Sequence, residues 1–181
     1  ISVVNQKGGV GKTTTCVNLS AALGKAGYPV LLLDLAPQAN ATSGLGYNKN
    51  ETNCNTYRVL LGQTDLRESI IKTPFQNLFL VPSHPELAGA EVELISFLGR
   101  EFILRDVFGP VKEEYPFIII DCPPSLNILT INALACASDL ILPIQGEYYA
   151  LEGISQLMGV IRMVRERLNP QLNIAGILLT M

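Results

Sequence analysis

A glycine- and lysine-rich run near the start of the chain has the composition of a phosphate-binding loop. Residues 6–14 read QKGGVGKTT and lie between an apolar segment and a segment with helical periodicity. Glycines let backbone N–H groups turn towards phosphate oxygens, and a helix N-terminus adds unpaired donors. Lys12 is placed to reach the β- and γ-phosphates of a nucleotide, and the Thr13 hydroxyl to ligate Mg²⁺. The order of strand, loop, lysine, hydroxyl and helix argues against the alternative, a glycine-rich turn without function.

The same run carries a second lysine, Lys7, and has Gln6 where the ordinary motif G-x-x-x-x-G-K-[ST] has glycine. At the start of the loop, Lys7 is expected to point away from the nucleotide bound by its own chain. It could then reach the nucleotide of a facing subunit, as an arginine finger supplied in trans does. This interpretation predicts a two-fold dimer bridged by nucleotide. A solvated surface lysine is the alternative.

Two aspartates end apolar segments that have the length of buried strands. Asp34 closes PVLLLD and Asp121 closes FIIID. A phosphate-loop site needs acidic residues at neighbouring strand ends to hold Mg²⁺ and its waters. We therefore predict that both carboxylates belong to the metal site. Either could instead be a helix cap or a turn residue.

Strand-like and helix-like patterns alternate along the chain, which predicts one α/β domain over residues 1–181. Continuous apolar strands separated by helices indicate a doubly wound, mostly parallel sheet with helices on both faces, and ligands at the carboxyl ends of the strands. A loop is predicted from residue 35 to about residue 55, and a C-terminal segment is expected beyond the last strand. The predicted strands are 1–5, 29–34, 78–81, 117–121, 139–144 and 172–180. The predicted helices are 13–26, 56–61, 65–71, 126–137 and 149–168, with a helix-rich stretch at 86–114.

Composition limits the class of protein. Hydrophobic residues make up 48% of the chain, a globular composition, and no apolar run approaches the roughly 20 residues that span a bilayer. The four cysteines are scattered, which favours reduced thiols in the cytoplasm over a zinc or disulfide framework. A net charge of −3 does not by itself indicate nucleic-acid binding, so any DNA contact must come from a local basic patch.

Residues 7–14 resemble the deviant Walker A loop of the ParA/MinD superfamily of P-loop ATPases. Three further stretches closely resemble the chromosomal ParA proteins called Soj: residues 33–46 (LDLAPQANATSGLG), 120–133 (IDCPPSLNILTINA) and 143–153 (PIQGEYYALEG). The membrane-associated MinD type differs from this chain after Asp121, where Cys122 and two prolines follow. An electron-transfer protein of the nitrogenase iron-protein type would need cluster-ligating cysteines that Cys122 and Cys136 do not provide.

The resemblance implies an ATPase that forms an ATP-bridged homodimer, coats DNA without sequence preference and is stimulated by a ParB-type partner. It implies a cytoplasmic, nucleoid-associated protein without stable membrane association, with ATP and Mg²⁺ as cofactors. Lys7 would be the lysine that crosses the dimer, and Asp34, Asp121 and Thr13 would form the Mg²⁺ shell. The remaining nucleotide-binding positions implied are Gly8, Gly9, Val10, Gly11, Lys12, Thr13, Thr14 and Asn40.

The chain departs from the family pattern at Ala36. The family stretch reads D-x-D-P-Q, and its second aspartate orients the attacking water, whereas this chain reads Asp34-Leu35-Ala36-Pro37-Gln38. Alanine cannot order or deprotonate water, and such steps contribute about 10²–10⁴-fold. We therefore expect ATP binding with little or no turnover. Ala36 is either a deliberate change that blocks hydrolysis or the mark of a natural binder that does not hydrolyse.

Three arginines on the predicted helix 149–168 are candidates for DNA phosphate contacts, namely Arg162, Arg165 and Arg167. A solvated helix face balanced by Glu152 and Glu166 is the alternative. The resemblance implies that the main basic residues lie beyond Met181. Competing functions are a MinD-like membrane-associated positioning ATPase and a nucleotide-dependent metabolic or electron-transfer enzyme on the same loop.

Overall fold

The computed structural model describes residues 1–146 and 150–180; for residues 150–153 the description covers the backbone alone. Tyr149, the predicted first residue of the long helix, therefore lies outside the described residues. The strands are β1 (Ser2–Val3), β2 (Val30–Asp34), β3 (Ile71–Lys72), β4 (Leu78–Val81), β5 (Phe117–Asp121), β6 (Asp139–Gln145) and β7 (Asn173–Thr180). The helices are α1 (Lys12–Lys25), α2 (Asn40–Gly44), α3 (Thr56–Leu60), α4 (Leu66–Ser69), α5 (Leu87–Glu93), α6 (Ile103–Phe108), α7 (Ile128–Cys136) and α8 (Ala150–Arg167), with a 3₁₀ turn at Leu94–Ser96.

The strands form one sheet in the order β3-β4-β2-β5-β1-β6-β7. Each neighbouring pair is parallel except β3 and β4, which are antiparallel. The chain winds from β1 outwards through β2 and β4 on one side, and continues through β6 and β7 on the other. β1 therefore lies at the point where the winding reverses, which is where open α/β sheets bind ligands. The predicted mostly parallel, doubly wound sheet is confirmed.

Two apolar cores cover the two faces of the sheet. Alternate residues of β2 divide between them, because successive side chains of a strand point to opposite faces. Val30 and Leu32 pack with α1 and α2 in the smaller core, whereas Leu31 and Leu33 join the larger core beneath α3 and α5–α8. All four side chains are fully buried. The continuous apolar character of β2 thus reflects burial on both faces, and helices lie on both faces as predicted.

Two local predictions are wrong. The predicted helix over residues 65–71 is only α4, because Ile71 begins an antiparallel edge strand in which it pairs with Leu80. The predicted loop over residues 35–55 contains α2, whose Thr42 N–H donates to the carboxylate of Asp34. In both places the partner lies outside the predicted segment, at Leu80 for Ile71 and at Asp34 for Thr42, so the periodicity of that segment carries no sign of it.

Within residues 1–146 and 150–180, no helix combines the length and the apolar character needed to cross a bilayer. On α8, Arg162 and Arg167 are exposed, whereas Arg165 is half-buried and its Nε donates to Leu172 O at 2.7 Å. Arg165 therefore ties the end of α8 to the start of β7. The predicted DNA-contacting face retains two exposed arginines.

Candidate nucleotide-binding site

The loop between β1 and α1 has the backbone conformation that its glycines predict. Gly9 and Gly11 adopt φ values of 76° and 88°, in the left-handed region where a side chain would be strained. Gly11 is the N-cap of α1 and has no side chain with which to cap the helix. The first turn of α1 also contains no acidic residue. Its N–H groups and positive dipole end are thus available to an anion.

Two polar side chains, Asn5 just after β1 and Thr180 at the end of β7, hold the loop in place. Asn5 accepts a hydrogen bond from Lys7 N–H at 2.9 Å and donates to Pro143 O at 2.7 Å. The Thr180 hydroxyl donates to Val10 O at 2.9 Å. Sequence reasoning missed Asn5 and Thr180 as loop-supporting residues. The signal was present, because both are polar residues where predicted apolar strands end.

Lys12 is held at the base of the loop. Its Nζ donates to Lys7 O at 2.9 Å, and the residue is only 7% exposed. Burial lowers the pKa of Lys12, and the nearby Asp121 carboxylate opposes that shift. The ammonium group is therefore largely shielded from water and lies close to the loop backbone, where its attraction to an anion is stronger than in solvent.

A cavity of about 470 Å³ opens beside the loop and brings most of the predicted site residues together. Three glycines and five residues with polar side chains contribute to its lining. The lining residues are Gly8, Gly9, Gly11, Lys12, Thr13, Thr14, Ala36, Gln38, Asn40, Cys122 and Pro124. Gln38, Cys122 and Pro124 were not among the predicted site residues, although all three lie in the stretches that carry the resemblance.

Four predicted residues do not line this cavity: Lys7, Val10, Asp34 and Asp121. Val10 is buried with 1% exposure, so it contributes its carbonyl to the anchoring of the loop and its side chain to the core. Lys7 is exposed, although both its N–H and its carbonyl are engaged within the loop. The backbone of Lys7 is thus held in place while its side chain lies at the surface.

Asp121 ends β5 beside Asp34 at the end of β2 and is fully buried. Burial, together with the charge of Asp34, raises its pKa to about 7, whereas Thr13, Cys16 and Lys12 act in the opposite direction. Thr13 lies close enough to influence this pKa, yet Asp121 Oδ2 accepts no hydrogen bond from any residue that the structure describes. A buried, unsatisfied carboxylate oxygen near a threonine hydroxyl is a donor set that fits Mg²⁺.

Asp34 is also fully buried, but its carboxylate is already engaged. Oδ2 accepts hydrogen bonds from Thr42 N–H and from the Thr42 hydroxyl, both at 2.8 Å, and Oδ1 accepts one from Ala36 N–H at 3.2 Å. Burial raises the pKa of Asp34, and the bonds from Thr42 and Ala36 oppose that shift. Asp34 therefore organises the start of α2 and the backbone at position 36. If Asp34 contributes to the Mg²⁺ shell, it does so with a carboxylate that already accepts three hydrogen bonds.

Ala36 and Asn40 also line the cavity. Ala36 is 4% exposed, and its methyl group offers no hydrogen bond. Asn40 is exposed at the first position of α2, directly after Ala39, which adopts a left-handed φ of 55°. The sharp turn at Ala39 starts α2 at the cavity rim and places Asn40 there.

The chain is similar over its whole length to proteins of a known family. A family model described as an AAA domain matches residues 1–174. The sporulation initiation inhibitor protein Soj of Bacillus subtilis is 50% identical over 181 residues, which cover all of this chain and 72% of that protein. This chain belongs to the ParA/Soj family of P-loop ATPases. The chromosome partitioning protein ParA of Myxococcus xanthus is 51% identical over the whole chain, which spans only 64% of that relative.

Solved structures show the same architecture as this ParA/Soj-family chain. A Mycobacterium smegmatis structure described as cobyrinic acid a,c-diamide synthase with bound ATP analogue and magnesium has a TM-score of 0.95 and 39% identity. The match covers 98% of this chain and 72% of that one. A putative plasmid partition protein from Borrelia burgdorferi bound to AMPPNP has a TM-score of 0.86 and 31% identity, with 98% and 73% covered.

Proposed function

We propose that this chain is the nucleotide-binding domain of a partition ATPase, which binds ATP and Mg²⁺ and acts in chromosome or plasmid segregation. The observation that carries the proposal is the junction of the loop and β5, where Lys12, Thr13 and the unsatisfied Asp121 oxygen meet beside one cavity. The B. subtilis and M. xanthus relatives are closer in sequence, at 50% and 51%, than the diamide synthase structure at 39%. The sequence therefore favours partition over amide synthesis.

Different groups of the site would bind the phosphates and the metal ion of a nucleoside triphosphate. The backbone N–H groups of the glycine loop and of the first turn of α1 would bind the β- and γ-phosphate oxygens. Lys12 would exchange its hydrogen bond to the Lys7 carbonyl for one to phosphate. Thr13 and Asp121 would hold Mg²⁺, which neutralises charge on the phosphates when it is bound.

Ala36 supports the proposal that this chain binds ATP with little or no turnover. The described residues that line the cavity include no carboxylate and no imidazole. Cys122 also lines the cavity, and burial raises the pKa of its thiol well above the ordinary value, so the thiol stays protonated and is not a base. Water that enters beside Ala36 would meet a methyl group where the family has an aspartate.

The exposed side chain of Lys7 supports an ATP-bridged homodimer. Its backbone is fixed within the loop, so the side chain extends from a defined point of the surface. In such a dimer each Lys7 would contact the nucleotide of the other subunit. We further propose that the dimer binds DNA without sequence preference through exposed basic residues, responds to a ParB-type partner and is located on the nucleoid in the cytoplasm. A dimer presents each basic patch twice, which raises its affinity for DNA above that of the monomer.

The test of the site and dimer is mass in solution with ATP–Mg²⁺ and with ADP, measured by analytical ultracentrifugation. We expect the chain to double its mass with ATP–Mg²⁺ only. Lys12→Ala should lose ATP binding, whereas Lys7→Ala should still bind ATP but remain a monomer. An ATP-dependent dimer that survives in Lys7→Ala would refute the trans role of Lys7.

Turnover and partners need separate assays. Ala36→Asp should raise ATP hydrolysis by at least about 10²-fold if position 36 orients water; no gain would refute the interpretation of Ala36. DNA retardation and lipid-vesicle cosedimentation, both with ATP–Mg²⁺, separate a partition ATPase from a MinD-like positioning ATPase. If the protein cosediments with vesicles and does not bind DNA, the result would favour a MinD-like positioning ATPase.

A further inference from the structure

A closed ring of hydrogen bonds lies behind the cavity wall. The Asp34 carboxylate accepts from Ala36 N–H at 3.2 Å and from the Thr42 hydroxyl at 2.8 Å. Thr42 Oγ1 accepts from Ser83 N–H at 2.9 Å, and the Ser83 hydroxyl donates to Ala36 O at 2.8 Å. Asp34, Thr42 and Ser83 are 0% exposed, and Ala36 is 4% exposed. The ring is thus shielded from water. A hydrogen bond lost there cannot easily be replaced by one to solvent.

The ring fixes both peptide groups of one residue. The N–H of Ala36 is held from the end of β2, and its carbonyl accepts from Ala39 N–H and from the hydroxyl of Ser83, which follows β4. A residue bonded at both backbone groups has little freedom to turn. Its side chain is therefore directed to the cavity that Lys12 and Thr13 also line.

We propose that Thr42 and Ser83 are positioning residues, which set the direction of the side chain at position 36 towards the reacting phosphate. This inference rests on the proposed ATPase function and adds residues that lie outside the nucleotide cavity. Thr42 is the central member, because its one hydroxyl donates to Asp34 and accepts from Ser83. Valine at this position would keep the shape and break two bonds of the ring. Displacement of a catalytic group by about 1 Å can cost about 10²-fold in rate.

The first measurement needs no nucleotide. Amide hydrogen exchange at residue 36 would be followed by NMR in the unliganded chain, in Thr42→Val and in Ser83→Ala. We expect exchange at Ala36 to accelerate about tenfold in each variant, the order of change that the loss of one buried hydrogen bond gives. Thr42→Ser retains the hydroxyl and should keep the parental rate. Ser83→Ala disturbs the core least and keeps the test available if Thr42→Val folds poorly.

The second measurement uses Ala36→Asp as the background, because that variant is expected to hydrolyse ATP. Adding Thr42→Val should lower kcat about 10-fold to 100-fold, with KM for ATP within about threefold, because the phosphate loop is untouched. Thr42→Ser should restore kcat. The matched control is Thr73→Val, since Thr73 is also buried and donates to Leu78 O at 2.8 Å, but lies at the turn between β3 and β4. It should leave kcat unchanged.

The outcomes separate this inference from the proposed function. Faster exchange at Ala36 together with a selective loss of kcat would support the positioning role. Unchanged exchange, an unchanged kcat, or an equal loss of kcat in Thr73→Val would each overturn it. If Ala36→Asp shows no turnover at all, the proposed reading of position 36 is wrong, and the exchange data alone decide whether the ring holds residue 36.

Discussion

The carboxylate of Asp121 should make the nucleotide-free chain less stable as pH rises. Its pKa is about 7 in the folded chain, against an ordinary value of 3.8, chiefly because it is buried. Between these two values the folded state keeps a proton that the unfolded state has lost, so the free energy of unfolding falls with increasing pH. The stability present below pH 3.8 is lost progressively until the pH passes about 7.

The size of the effect follows from this pKa difference. At 1.36 kcal/mol per pH unit, with the dependence flattening above pH 7, this group lowers the free energy of unfolding by roughly 2–3 kcal/mol between pH 5 and pH 8. Asp121→Asn removes the titration and keeps the shape of the side chain. The buried Asp34 contributes in the same direction in both proteins, so the difference between them is the quantity to measure.

The assay is urea unfolding followed by circular dichroism across this pH range, without nucleotide and with EDTA. We expect the unmodified chain to lose roughly 2–3 kcal/mol more than Asp121→Asn over that range. In a separate measurement without EDTA, ATP–Mg²⁺ should stabilise the unmodified chain and have a much weaker effect on Asp121→Asn, because one metal ligand is gone. Stability curves that run parallel for the two proteins would refute the argument that burial raises the pKa of Asp121.

Four further substitutions test packing and anchoring. Gly24→Ala in α1 would place a Cβ 2.3 Å from the carbonyl oxygen of Gln76, so it should lower the free energy of unfolding by about 1–3 kcal/mol. Gly159→Ala in α8 meets nothing within 4 Å, so it should raise the free energy of unfolding by about 0.5–1 kcal/mol. Equal effects in urea unfolding would contradict this account. Thr180→Val removes the bond to the Val10 carbonyl and should weaken ATP binding about 2-fold to 10-fold by calorimetry; unchanged affinity would show that the loop needs no such anchor. Asn127→Ala removes the cap that accepts from the N–H groups of Leu129 and Thr130, and should cost about 1 kcal/mol; a Tm equal to that of the parent would argue against the cap.

Much of the fold and most of the residues that line the cavity could be predicted from the sequence. Buried strands such as β2 and β5 are continuous apolar runs, and their carboxyl ends meet at one edge because the strands are parallel. That reasoning predicts that Asp34 and Asp121 lie close together, and the structure pairs them in register. The sequence could not predict that the two carboxylates differ in their hydrogen bonding. One carboxylate accepts three hydrogen bonds, whereas the other has an oxygen without a donor among the described residues.

The sequence by itself determined the phosphate loop, because its glycines, lysine and hydroxyl are contiguous and act through local backbone geometry. Only the tertiary structure decided what supports that loop. Thr180 reaches Val10 across 170 positions, and Asn5 reaches Pro143 across 138. Ser83 holds the backbone of Ala36 across 47 positions. Such partners meet only when strands assemble side by side, so their pairing is set by sheet order and burial rather than by any pattern that a local window contains.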